Sequence, residues 1–409
     1  MLEPIDFSPK QSEALSACQK FLDDPDRQLF VLTGFAGTGK TTLAKYLAHD
    51  IHGMVLFAAY TGKAAHVLHE QGCEGACTLH SLVYLPADKC QQRLRDMEIE
   101  LAGMMKEDPV DEDECATLEV KIKEERANLS SPDWNLRLDT PLAQCAVLFI
   151  DEMSMVSEQM AHDILIHGCK VIAMGDPAQL PPVKAVGVWR NIKADVHLDE
   201  IHRQAAGSPI IKAATTVRTG GTLIPGRYGE QDEVVILRSA GCTKEIMREL
   251  AFGHEQILCG LNKTRKSYNS RIRAIEGRES PYPTIGDKLV CIKNNAEEGL
   301  LNGQLWEVKE DSFIDGQKLW LSLINDRDET FEGCAHPGFF YGIQPDGFEL
   351  RDWNCFEYGN AMTVHKAQGS QWDSVLLIDE WSRRDTRKEW LYTGLTRAAK
   401  KLTVVQVVQ

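Results

Sequence analysis

Gly34-Phe35-Ala36-Gly37-Thr38-Gly39-Lys40-Thr41-Thr42 fits the pattern G-x-x-x-x-G-K-[ST] and follows directly on the apolar run Leu29-Phe30-Val31-Leu32. A buried strand, a glycine-rich turn and a helix in that order wrap backbone N–H groups around a phosphate. The glycines let several amides converge on one anion, and a helix starting near Lys40 adds the positive end of its dipole. Gly37, Thr38, Gly39 and Thr42 thus belong to the phosphate cradle. Lys40 reaches the outer phosphates of ATP, and Thr41 offers its hydroxyl to Mg2+. Leu43, Ala44 and Leu47 continue at helical spacing, as an isolated glycine turn would not require.

Upstream, Ser8-Pro9 predicts a helix start, with Ala14, Leu15, Cys18, Phe21 and Leu22 on one face. Gln11, in its first turn, carries the donor and acceptor that an adenine edge requires, although an exposed helical glutamine is the plainer reading.

Downstream, Met54 to Ala59 reads as a second buried strand ending in Tyr60-Thr61-Gly62-Lys63. Thr61 and Lys63 are candidates for contacts to a nucleic-acid backbone, as is His80 in Thr78-Leu79-His80-Ser81-Leu82. Each of these stretches reads equally well as a helix start. Ala146 to Ile150 is a third strand and closes on Asp151-Glu152. Adjacent carboxylates at a strand end beside a phosphate loop suit one ligand to magnesium, Asp151, and one partner for attacking water, Glu152. A fourth strand, Lys170 to Met174, runs into Gly175-Asp176-Pro177-Ala178-Gln179, whose glutamine can sense a γ-phosphate. Strands alternating with helices predict an α/β fold with a parallel, doubly wound sheet and ligands at the strand carboxyl ends.

The chain has 409 residues, which implies more than one core. Its net charge of −15 argues against a uniformly basic nucleic-acid-binding surface but not against a local channel. Twelve cysteines occur without a C-x-x-C pair, so buried thiols are the favoured reading over disulfides or a metal at Cys73, Cys77 and His80. No apolar run reaches membrane-spanning length and the N-terminus has no signal pattern, so a cytoplasmic protein without membrane partners is expected.

The interval 86–139 is acidic, and its apolar spacing predicts two helices rather than strands. A solvated acidic face is favoured there over a docking site for a single-strand-binding or replisome protein. The short alternating runs from Gly286 to about Trp353 predict a small β-barrel. Its aromatics Phe339, Phe340 and Tyr341 read as core residues before DNA contacts.

The series GFAGTGKTT, YTGKAA, TLHSL, FIDEMSM, GDPAQLPPV, LDEIHRQ, TVHKAQGSQWDSVLLID and LYTGLTRAAKKL resembles the motifs of superfamily 1 DNA helicases. It is similar in particular to the 5′-to-3′ branch, that of Dda, RecD-like and Pif1-like enzymes. GDPAQLPPV is the discriminating piece. The resemblance implies two RecA-like units with ATP and Mg2+ between them: 1–85 with 140–198, and 199–280 with 354–409. It places a helical insertion at 86–139 and an SH3-like barrel at 281–353. It further implies that Arg203 and Arg397 stabilise the transferring phosphoryl charge, that Gln368 and Gly369 touch nucleotide, and that Thr363, His365 and Lys366 grip single-stranded DNA. Relatives split duplex with a β-hairpin in the interval occupied here by predicted helices, leaving Tyr84, Pro86 and Trp134 as wedge candidates.

The expected function is therefore an ATP-dependent motor acting as a monomer on single-stranded DNA and at single-strand/duplex junctions. A protein-displacing translocase on DNA or RNA and a nucleotide-switched interaction module are the alternatives.

Overall fold

The computed structural model describes residues 6–86, 92–105, 112–130, 134–137, 139–181, 187–200, 207–231, 233–295, 297–341 and 353–407. Helix Pro9–Asp23 opens with Ser8 and Gln11 in a reciprocal capping box, Pro9 occupying its first turn. Its buried face, Ala14, Cys18 and Phe21, packs on the first sheet.

That sheet has six strands in the order Cys77–Thr78, Met54–Ala59, Cys145–Asp151, Lys170–Gly175, Leu29–Gly34 and Val196–Leu198. All its pairings are parallel. Helices cover both faces, which is why its strands read as unbroken apolar runs rather than alternating ones. The register aligns Leu29 with Val171 and Met54 with Cys145, so the glycine-rich turn, Asp151-Glu152 and Asp176 emerge at the same carboxyl edge.

A second six-stranded sheet runs Ala361–Thr363, Gln256–Cys259, Trp372–Asp379, Ala398–Gln406, Val234–Arg238 and Gly226–Tyr228. It is parallel except at its last strand. Helices Pro209–Arg218 and Arg387–Leu395 pack on it around buried Trp390 and Tyr392. The strand Gln256–Cys259 is followed closely by helix Asn262–Ile275.

A third, antiparallel sheet of five strands takes in Thr330–Ala335, Lys318–Ile324, Leu305–Asp315, Lys288–Cys291 and Phe356–Tyr358. One face buries Trp306, Val308, Leu319, Leu321, Leu323 and Phe331, the period-two pattern of a half-covered sheet. Its fifth strand lies past residue 353, beyond the expected bound. Phe340 packs against that core, as the core reading anticipates, whereas Tyr341 meets Tyr282 edge-on and stays exposed, against that reading.

Helices Gln92–Met104 and Glu112–Ser130 meet through Leu94, Leu118 and Ile122, with Met97, Leu101 and Met104 alongside. At their base Tyr84–Pro86 and Trp134–Leu136 pair as a two-stranded antiparallel ribbon. The spacing reading anticipated no strands in this interval, since three residues are too few to leave an alternating signal. The Tyr84 hydroxyl donates to Asp163 Oδ2 at 2.7 Å, so this wedge candidate is tied inward; the side chains of Pro86 and Trp134 are outside the described set. Among the described residues no helix is long and apolar enough to cross a membrane.

Candidate active site

Gly37 and Gly39 both adopt φ of 78°, a conformation glycine enters without steric penalty, and Gly39 caps helix Lys40–His49. The turn is braced by Thr38 N–H donating to Phe35 O and by Thr38 Oγ1 donating to the same carbonyl. The Thr38 side chain is thus turned into the loop. Lys40 Nζ donates to Gly34 O at 2.8 Å and Phe35 O at 3.1 Å, curled over the loop it is expected to serve.

Gln11 is buried, and both ends of its amide are engaged. Oε1 accepts from Ser8 N–H at 3.0 Å and Nε2 donates to Thr38 O at 3.1 Å. In this conformation it braces the glycine-rich loop, and neither end is free for a base.

A cavity of about 280 Å³ is lined by Gly37, Gly39, Lys40, Thr41, Thr42, Asp151, Glu152, Asp176 and Gln179. A larger one, about 630 Å³, shares Thr41, Asp151, Glu152 and Gln179 and adds Lys63, Gly369, Trp372 and Arg397. Residues from the first and second sheets therefore converge on the same carboxylates. Thr41 and Asp151 bring hard oxygen donors to one cavity, as a magnesium site completed by phosphates and water needs.

Burial raises the Asp151 carboxyl above its ordinary range, with Lys40 acting in the opposite direction. Burial and the Asp151 charge push Glu152 up to about 7, against the pull of Arg397 and Lys40. Glu152 N–H donates to Asp151 Oδ1 at 2.9 Å, and Glu152 holds φ 55°, ψ 45°, a left-handed backbone uncommon outside glycine. Such strain is retained where the surroundings over-determine a side chain's direction. Gln179 is buried, with its Oε1 facing no partner.

The second sheet contributes Arg397, buried, with Nη1 donating to Ser370 O at 3.0 Å and Nε to Thr393 O at 3.1 Å. Gly369, at φ 73°, lies so close to the first unit that a Cβ would sit 3.3 Å from Ala64 Cβ. Gln368 does not face either cavity wall named above; its Nε2 donates to Leu180 O at 3.0 Å. Arg203 falls outside the described residues.

The expected nucleic-acid contacts are dispersed. Thr61 caps helix Gly62–Glu70, its Oγ1 accepting from Ala64 N–H, and Thr363 Oγ1 similarly accepts from Lys366 N–H. Lys63 does not project from an open surface: its ammonium stands 5.0 Å from the Trp372 ring centroid inside the larger cavity, and burial pulls it down to about 8. His80 packs edge-on to Tyr60, and His365 against Trp381. Lys366 pairs with Glu357, which also takes Arg265 bidentately. Cys73 is buried and Cys77 Sγ donates to Phe57 O; among the described residues no cluster of side chains has the makings of a metal site of this kind.

Sequence reasoning missed Tyr392. Its hydroxyl accepts from Ala36 N–H of the glycine-rich loop at 3.1 Å and donates to Asp176 Oδ2 at 2.7 Å. It missed Arg218 as well, whose guanidinium lies 3.5 Å above the Phe35 ring centroid. The available signal for Tyr392 was its place within LYTGLTR, five residues before Arg397, together with the need of a buried tyrosine to find a hydroxyl partner.

Comparison with known proteins gives a family match described as an AAA domain over residues 7–238 and one described as a UvrD-like helicase C-terminal domain over 358–405. The chain is 27% identical over 398 residues to the ATP-dependent RecD2 DNA helicase of Deinococcus radiodurans, covering 91% of this chain and 46% of that protein. It is 26% identical over 230 residues to the ATP-dependent DNA helicase dda of Enterobacteria phage T4, covering 53% of this chain and 43% of that one. It thus spans less than half of either relative. The Pif1 helicase from Bacteroides, solved with ADP-AlF3 and ssDNA, superposes with a TM-score of 0.55 at 17% identity over 99% of this chain and 94% of that one. A Candida albicans Pif1 helicase gives 0.52 at 18% identity over 98% and 95%. These structures share the fold. With more than half its length matched by the first family, this chain belongs to the AAA-domain family, within the P-loop superfamily 1 helicases.

Proposed function

We propose that this chain is an ATP-driven motor that tracks 5′ to 3′ along single-stranded DNA and opens duplex ahead of it. The observation that carries the reading is the shared cavity: Glu152 and Gln179 from the first sheet, with Gly369 and Arg397 from the second, line one space beside the glycine-rich loop. In this reading the two parallel sheets are RecA-like units, the third sheet an SH3-like barrel, and the paired helices an insertion in the first unit. The DNA and the direction of travel rest on the relatives named as DNA helicases and on the motif series.

The loop amides and Lys40 hold the phosphates, which requires Lys40 to leave its carbonyl contacts and turn to the anion. Thr41 and Asp151 hold Mg2+, which when bound neutralises charge on the phosphate oxygens. Glu152 accepts the proton of the attacking water, its raised pKa matching that task near neutrality. Gln179, with its carbonyl oxygen unpartnered, orients that water or the γ-phosphate, and Arg397 with Arg203 stabilises the charge that spreads during transfer. Gly369 borders the nucleotide, and Gln11 and Gln368 join it only by leaving their contacts to Thr38 O and Leu180 O. Thr61 and His80 on one unit and Thr363, His365 and Lys366 on the other are the DNA grips that cleft closure moves relative to each other; Lys63 joins them only by leaving the Trp372 ring.

The discriminating experiment uses forked DNA duplexes with a single 5′ or a single 3′ tail. Unwinding confined to the 5′-tailed substrate supports the motor and its direction. ATP hydrolysis stimulated by DNA without unwinding would leave only the translocase.

A further inference from the structure

Tyr392 sits on helix Arg387–Leu395, part of the second unit, yet among the described residues its hydroxyl hydrogen-bonds to the first: Ala36 N–H at 3.1 Å and Asp176 Oδ2 at 2.7 Å. The next residue does the same. Thr393 Oγ1 accepts from Leu180 N–H at 2.9 Å, while Gln368 Nε2 binds Leu180 O at 3.0 Å. Both side chains are buried, at 2% and 0% exposure, so these polar atoms have no alternative in water. The same helix then turns directly into Arg397, whose Nε is held by Thr393 O.

From this geometry we infer that Tyr392 is a positioning residue for Arg397: its hydroxyl anchors the end of the helix to the glycine-rich loop and to Asp176, setting where the guanidinium enters the cavity shared with Glu152. The inference rests on the ATPase reading above. The loop, Lys40 and Thr41 bind nucleotide from the first unit alone, whereas charge stabilisation by Arg397 requires the two units to be in register. The hydroxyl therefore acts on the chemical step rather than on nucleotide capture. A one-ångström displacement of such a group is costly even when every contacting residue remains.

The test is steady-state ATP hydrolysis with saturating single-stranded DNA by the full chain, Tyr392→Phe, Arg397→Ala and the double variant, with thermal melting as the check of fold. Tyr392→Phe is expected to lower kcat about 10-fold with KM for ATP changed less than about 2-fold, a loss confined to the transition state. In the Arg397→Ala background it should cost less than about 2-fold more, because contacts acting through one residue are non-additive. A rise in KM with kcat intact, or full additivity with Arg397→Ala, overturns the inference. If Tyr392→Phe does not fold, Thr393→Val, which cuts the neighbouring anchor on Leu180, must show the same split and the same non-additivity or the inference fails. Absence of hydrolysis in the parent chain would instead strike at the ATPase reading itself, so the two failures are distinct.

Discussion

Glu152 and Arg397 line one cavity from different sheets, the carboxylate on a left-handed backbone at φ 55° and the guanidinium buried against Ser370 and Thr393. Neither is an ordinary surface charge. Each is held where ionisation is opposed by burial and favoured by the other.

This arrangement predicts a trade of stability for chemistry. Burial and the Asp151 charge raise Glu152 to about 7 in the folded state, so its favourable contribution is present at low pH and is lost as pH rises through that value. Glu152→Gln removes a charge that the parent must carry desolvated. It should raise stability by roughly 1–3 kcal/mol near about pH 8 and by less than about 1 kcal/mol near about pH 5. Thermal melting at both pH values checks this; an equal gain at both would show that Glu152 is not the titrating group.

The Arg265–Glu357–Lys366 cluster makes the opposite prediction. Burial works to raise the Glu357 carboxyl, but the Lys366 ammonium and the Arg265 guanidinium outweigh it and hold the carboxyl below its ordinary range. Its contribution is therefore present above the unfolded carboxylate range and lost as pH falls through the folded value. Glu357→Ala, which strands the buried Arg265, should cost about 3–5 kcal/mol by urea unfolding near neutrality. The deficit should shrink below about pH 4.

Gly39→Ala tests the loop geometry. At φ 78° an alanine is strained by about 1–2 kcal/mol, and its Cβ would fall 2.7 Å from Gln11 Nε2. We expect MgADP binding, followed by calorimetry, to weaken at least about 10-fold, since backbone amides rather than side chains form the phosphate cradle. Unchanged affinity would mean that the loop remodels on binding and that its ligand-free conformation is not the one that counts.

The phosphate loop, Asp151-Glu152 and Gln179 were legible because each is a contiguous stretch at a strand end, where local sequence fixes both the backbone and the direction it faces. Long buried strands were equally legible from their unbroken apolar runs. Tyr392 was not, because its role depends on two partners, Ala36 and Asp176, brought to it only by the packing of one unit on the other. The sequence points Lys63 to a nucleic-acid backbone, since nothing near it in sequence announces Trp372. The ribbon Tyr84–Pro86/Trp134–Leu136 escaped for a simpler reason: three-residue strands carry too little alternation to be seen.

Hydrolysis of ATP in answer to DNA, at the cavity between the two sheets, is the proposal on which the rest depends. Its most direct test is the ATP hydrolysis rate of the full chain and of Glu152→Gln, each with and without single-stranded DNA. Strong stimulation of the parent by DNA is expected, with a loss of at least about 100-fold in Glu152→Gln and MgADP binding retained, as removal of the group proposed to handle the attacking water requires. A parent rate indifferent to DNA, or a Glu152→Gln rate equal to the parent's, would contradict it.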